Sequence, residues 1–151
     1  MIKTEREWKA LRAQLEAEDE RLDVQRRILV DSGLTDDQLA AAMAPLVSFR
    51  DQLAEEIEFY ERIRAKDFSA LSNFESIGRL LIALRIASGR TQHELAVALQ
   101  MDDAQISRYE RDEYHGLTVS RIAQILRALG VRLKMEVEPL EGQPDGDRIP
   151  A

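Results

Sequence analysis

The chain has 151 residues, of which 44% are hydrophobic and 32% charged, the balance of a soluble globular protein rather than a disordered one. It contains no cysteine, which excludes a disulfide framework and a thiolate zinc site. Apolar runs are short, as at Leu80 to Leu84, and the N-terminus lacks an apolar core, so a cytoplasmic protein with no membrane association is expected. The net charge of −7 is unevenly spread: residues 1–75 carry 11 Lys/Arg against 17 Asp/Glu, residues 76–135 carry 9 against 6, and residues 136–151 carry 1 against 5. Only the middle segment is net basic, and there it offers a modest attraction to phosphate.

Few aromatics and abundant Ala, Leu, Glu and Arg predict a mainly α fold. Thr4 and Glu7 have capping-box spacing, and Trp8, Leu11, Leu15, Leu22 and Leu29 then recur at helical intervals up to Ser32-Gly33, with Glu18 and Gln25 breaking the stripe. Thr35 with Gln38 opens a second helix whose Leu39, Met43, Leu46, Leu53, Ile57 and Tyr60 keep a seven-residue rhythm interrupted by Arg50. The two are expected to pair as a helical hairpin or coiled-coil arm over residues 1–67, with a kink or a fresh start near Ala44 because Pro45 removes an amide donor. Such an arm buries little alone, so it is expected to serve oligomerisation or partner binding.

Periodicity lapses from Lys66 to Asn73, which places a linker there. Residues 68–138 then read as a second domain of five helices or fewer, with helical segments Phe74 to Ala87, Gln92 to Leu99, Asp103 to Arg111 and Val119 to Leu129. After Gly130 the period becomes two: Val131, Leu133, Met135 and Val137 alternate with Arg132, Lys134, Glu136 and Glu138, the pattern of a C-terminal β-strand with one apolar face. A lone strand needs a second one, most simply its own copy in a homodimer. Residues 139–151 are polar and rich in Gly and Pro, and are expected to form a disordered tail.

Between Arg90 and Asp112, Leu95, Ala96, Leu99, Ile106 and Tyr109 are spaced to pack two short helices across a tight turn, with Thr91 and Asp102 as their caps. The stretches TQHELA at Thr91 to Ala96 and ISRYE at Ile106 to Glu110, with the closing helix from Ser120 to Val131, resemble the phage-repressor and Cro-like regulators of the XRE helix-turn-helix family over about 60 residues. The resemblance implies that Asp103 to Arg111 is the recognition helix in the major groove. It also implies that Asp103, Ala104 and Arg108 touch base edges, that Gln105 and Ser107 lie close to backbone or base, and that Arg90, Thr91 and Gln92 meet phosphate. Arg108 suits guanine, Gln105 adenine, Asp103 cytosine and Ala104 a thymine methyl; Arg111 is a further candidate contact. Arg85 and Glu110 match an ion pair of the family. Asp102 and Asp103 depart from its pattern by placing two carboxylates where phosphates pass, and the acidic loop Asp112 to Leu117 departs from it too.

The long helical extension and trailing strand also look like antitoxins of toxin-antitoxin operons, which implies a toxin protein as partner. No enzyme is expected. His93-Glu94 lacks the second His of a zinc-protease helix, since Val97 stands at its place, and His115 has no accompanying nucleophile motif. No cofactor or metal site is expected. The reading from sequence is a sequence-specific transcriptional regulator, a repressor binding double-stranded DNA. The alternative is a toxin-neutralising interaction module whose helix-turn-helix is only a scaffold, and a gel shift against the DNA upstream of the gene separates the two.

Overall fold

The computed structural model describes residues 1–136, and the tail expected at 139–151 lies outside them. The described chain is all-α. It contains α1 (Glu5–Asp31), α2 (Asp36–Arg64), two 3₁₀ turns (Ser69–Leu71 and Phe74–Ser76), α3 (Ile77–Ala87), α4 (Gln92–Leu99), α5 (Asp103–Arg111) and α6 (Val119–Ala128).

α1 and α2 form the expected antiparallel hairpin. Thr4 caps α1 by accepting from the Glu7 amide, and Thr35 and Gln38 complete a reciprocal capping box on α2, each satisfying amides that lack an intrahelical partner. Of the residues that interrupt the apolar stripes, Arg50 of α2 takes part in the pairing, reaching the Asp19 carboxylate of α1 at 2.8 Å, whereas Glu18 accepts from Arg21 within α1 at 3.3 Å. Of the kink or fresh start expected near Ala44, the fresh start does not occur: α2 runs through Pro45 as one helix. The neighbouring turns hold it in register although the Pro45 ring removes one donor.

The hairpin is anchored at its open end. Ile57, Tyr60 and Ile63 of α2 are buried in the same cluster as Leu71, α3, Leu95, Ala96, Ile106, Ile125 and Leu129, so arm and helix-turn-helix region share one core. Trp8 stacks on Tyr60 with centroids 6.2 Å apart, and Arg12 and Arg64 lie over the Trp8 ring. Ile2, ahead of α1, is buried in the cluster as well.

α3 is the axis of that core. Residues Leu80 to Ile86 are all buried, the mark of a helix enclosed on every side. Its first turn passes so close to the loop after α5 that a Cβ on Gly78 would stand 1.8 Å from the Glu113 carbonyl oxygen, and only glycine allows that approach.

The strand expected from Val131 onward is not formed among the described residues; Val137 lies outside them. Residues 131–136 are extended from Gly130 without a ladder partner, because no other described segment is a strand and a ladder requires two. Val131 and Leu133 still turn inward onto the core, whereas Met135 is 69% exposed.

Candidate nucleic-acid interface

Two short helices and a three-residue turn build the site. Thr91 and Glu94 form a reciprocal capping box, with the Thr91 amide donating to the Glu94 carboxylate at 2.8 Å. These hydrogen bonds from Thr91 hold the Glu94 carboxyl below its ordinary pKa. Leu95 and Ala96 are wholly buried, as is Ile106 of α5. α4 ends at Gln100 in the left-handed region, φ 55°, which turns the chain sharply enough for Asp102 to begin α5. Asp102 occupies the cap position, but its side chain makes no cap hydrogen bond. The expected use of one carboxylate as a cap is therefore absent.

α5 divides cleanly into faces. Ile106 and Glu110, one turn apart, point inward, and Ala104, Arg108 and Arg111, at the complementary spacing, are exposed. Asp103 is also exposed; its carboxylate meets His93 Nδ1 of α4 at 2.9 Å. Gln105 lies on the flank and donates to the Tyr109 hydroxyl at 3.1 Å, so its amide is engaged within the helix. Ser107 is half-buried.

Beneath this face lies a buried ion pair. The Arg85 guanidinium grips Glu110 with two of its nitrogens, Nε and Nη2, the latter standing 2.7 Å from Oε2. Arg85 is 3% exposed and Glu110 fully enclosed. Both are saturated with further bonds: Arg85 donates to the Arg90 and Lys3 carbonyls, and Glu110 accepts from the Gln92 amide at 2.8 Å. Such a network orients α5 against α3 and α4, and it tolerates burial because every strong group has partners.

The residues expected at phosphate are placed unevenly. Thr91 is exposed at the start of α4, beside exposed Asp103 and Ala104. Gln92 is half-buried and tied to Glu110. Arg90 donates from Nη1 to the Ala128 carbonyl at 2.5 Å, which satisfies the end of α6 and complements its dipole. Its guanidinium is thereby held within the fold.

A cleft joins the site to the arm. Lys3, Tyr60 and Arg64 line it together with Arg90, Gln92 and Ser107, and Lys3 Nζ donates to the Glu110 carbonyl. Sequence reasoning missed these arm residues. Ile2 and Lys3 stand just before a helix cap, a place without periodicity, and Arg64 reads as one more charge at the end of a helix. Among the described residues no cluster of three His, Cys, Asp or Glu side chains is arranged to hold a metal ion, and no helix is long and apolar enough to cross a membrane.

Residues 81–134, a little over a third of the chain, match a family model described as helix-turn-helix. The match covers most of α3, all of α4, α5 and α6, and the start of the extended segment. No curated protein and no solved structure shows significant similarity to the chain.

Proposed function

Starting from a helix-turn-helix domain at residues 81–134, we propose that the protein is a sequence-specific DNA-binding transcriptional regulator that acts as a homodimeric repressor. The observation that carries this reading is the exposed face of α5. Ala104, Arg108 and Arg111 project from a helix whose opposite side is locked by Ile106 and Glu110, as a helix entering the major groove requires. In this reading Arg108 reads a base edge, Ala104 touches a neighbouring apolar edge, and Thr91 positions the phosphate backbone. Asp103 is bonded to His93 at 2.9 Å, so its carboxylate is partly engaged within the motif rather than wholly turned to the DNA.

Fluorescence anisotropy with the DNA upstream of the gene tests the proposal. Arg108→Ala is expected to weaken specific binding by about 1–3 kcal/mol and to relax preference at one base position. Equal loss on specific and random DNA would remove Arg108 from base readout, and no binding by the unmodified protein at low salt would remove the DNA reading.

A second reading is favoured by the far end of the arm, where Val24, Ile28 and Val30 are exposed apolar side chains. In it the arm tip docks on a partner protein, as in the antitoxin arrangement, and α5 is a scaffold. Loss of a co-purified partner on Ile28→Asp, with DNA binding intact, would establish this second role.

A further inference from the structure

The base of the arm forms one wall of the cleft beside α4 and α5. Tyr60 and Arg64 of α2 line it on one side, and Thr91, Gln92, Ala104 and Ser107 line it on the other, around a volume of about 580 Å³. The second wall is the start of α4 and the N-terminal half of α5, the surface that a DNA duplex covers in the function proposed above. The first wall lies outside residues 81–134 and so outside the helix-turn-helix match.

The cations of this cleft differ in what holds them. Arg85 is bonded to Glu110, Lys3 Nζ donates to the Glu110 carbonyl, and Arg90 donates to the Ala128 carbonyl. Arg64 is exposed, and its guanidinium lies over the Trp8 ring, 5.5 Å from the centroid. An aromatic face attracts a cation without neutralising it, so Arg64 brings its full charge to the edge of the cleft. The carboxylates there are engaged by other groups: Glu5 meets Lys9 Nζ at 3.0 Å, and Asp103 meets His93 Nδ1 at 2.9 Å. Lys3, Arg64, Arg85 and Arg90 stand against Glu5 and Asp103 in the lining, and setting Arg85 against the buried Glu110 still leaves a positive balance.

Rigidity adds to the charge. Arg64 ends α2 directly after Ile63, which is buried in the core that also holds Leu95 of α4 and Ile106 of α5. A side chain carried on a helix end locked into that core keeps a fixed place relative to the recognition helix, and it needs little ordering to meet a ligand. Phosphates recur about every 3.4 Å of helix axis along one DNA strand. A strand whose phosphate meets Thr91 therefore carries neighbouring phosphates past the mouth of the same cleft.

We propose that Arg64, at the base of the arm, is a phosphate-positioning residue of the DNA interface. It binds the backbone of the strand that passes Thr91, so that arm and helix-turn-helix hold one duplex together. The planar donors of an arginine match phosphate oxygens. The inference rests on the DNA-binding reading above and extends it to a residue outside the motif.

The second arginine over Trp8 supplies the control. Arg12 lies 5.3 Å from the same ring centroid and pairs with Glu61, away from the cleft. With the full chain and the DNA upstream of the gene, anisotropy titrations between about 50 and 200 mM salt are expected to show a smaller salt slope for Arg64→Gln, by about one for each protomer bound, and binding weakened about three- to tenfold near 0.1 M. The loss is expected to be equal on specific and random duplexes, because a phosphate carries no sequence. Arg64→Lys keeps the charge and with it the slope, and Arg12→Gln leaves slope and affinity unchanged. In ethylation interference, at least one phosphate whose modification blocks the unmodified protein is expected to lose that effect with Arg64→Gln. An unchanged slope, the same slope change in Arg12→Gln, a loss confined to specific DNA, or an unaltered set of interfering phosphates would each overturn the inference and leave the DNA reading in place. An unmodified protein that binds no DNA would remove both.

Discussion

The two ends of the helical arm are built from similar residues and do different work. At the base, Ile57, Tyr60 and Ile63 are buried with Ile2 against α3, and Arg85 and Glu110 are enclosed alongside. Towards the tip, Met43 is buried, while Val24, Ile28, Val30 and Phe49 face outward and the charges pair at the surface, as Arg50 does with Asp19. α1 has no buried residue along its whole length. A hairpin of two helices gives each residue only one neighbouring helix, whereas the base is wrapped by α3 and the loop that follows α2. The same apolar periodicity therefore yields a fixed joint at one end and an uncovered surface at the other.

The sharpest way to break the comparison is through its ion pairs. Arg85→Ala leaves Glu110 enclosed without its main partner and is expected to destabilise the fold by about 3–5 kcal/mol in chemical denaturation. Arg50→Ala removes a pair that water already screens and is expected to leave the midpoint unchanged. Similar losses from both would mean that the tip is as consolidated as the base.

Apolar truncation gives the next largest contrast. Ile63 of α2, 1% exposed, is buried in the core cluster shared with α3, and Ile63→Ala is expected to cost about 2–5 kcal/mol. Ile28, 54% exposed, is expected to cost less than about 0.5 kcal/mol on the same change. A large loss at Ile28 that depends on protein concentration would show the tip to be covered in solution by another copy.

How much of this was legible in the sequence follows the same division. The caps at Thr4, Thr35 and Thr91 and the bounds of α4 and α5 are readable because each depends on neighbours a few residues away, whereas the pairing of Arg85 with Glu110 is legible only through the family resemblance. The apolar stripes of α1 and α2 gave the hairpin but not its anchorage, since Ile57 and Leu53 look alike in a heptad and differ only in what α3 brings to one of them. Lys3 at the Glu110 carbonyl and Arg90 at the end of α6 connect residues 107 and 38 positions apart, and no local pattern records such contacts. Period-two alternation after Gly130 predicts a strand. Local sequence supplies the extended conformation, but a ladder needs a second strand, which the described chain lacks.

Arg90 and Arg108 turn that lesson into a smaller, separable effect. Both read as surface arginines of the motif, yet Arg108 is exposed on α5 and Arg90 is bonded to Ala128. Arg90→Ala is expected to lower stability by about 1 kcal/mol, the usual worth of a helix-end contact of this kind, with little change in the salt dependence of DNA binding. A salt slope reduced by about one would instead place Arg90 on a phosphate.

The smallest effect lies in the loop that leaves the base of the arm. Asp67 accepts from the Ser69 hydroxyl at 2.7 Å, from the Ser69 amide at 3.1 Å and from Arg62 at 2.9 Å. These bonds, those from Ser69 foremost, hold its carboxyl at about 2, below its ordinary 3.8. A carboxyl depressed by folding stabilises the native state at pH above its unfolded value, and that contribution fades as pH falls from about 4 through about 2. Asp67→Asn can still accept from Ser69 but carries no charge for Arg62, so its melting temperature is expected to drop less steeply than that of the unmodified protein across this window. The group is solvent-exposed and screening keeps the difference small, so the comparison is between slopes rather than midpoints. Parallel curves from pH 4.5 to 2.5 would show that the Arg62–Asp67–Ser69 cluster forms without fixing the junction. A slope that flattens only in the variant would tie the loop between α2 and α3 to the rigid end of the arm.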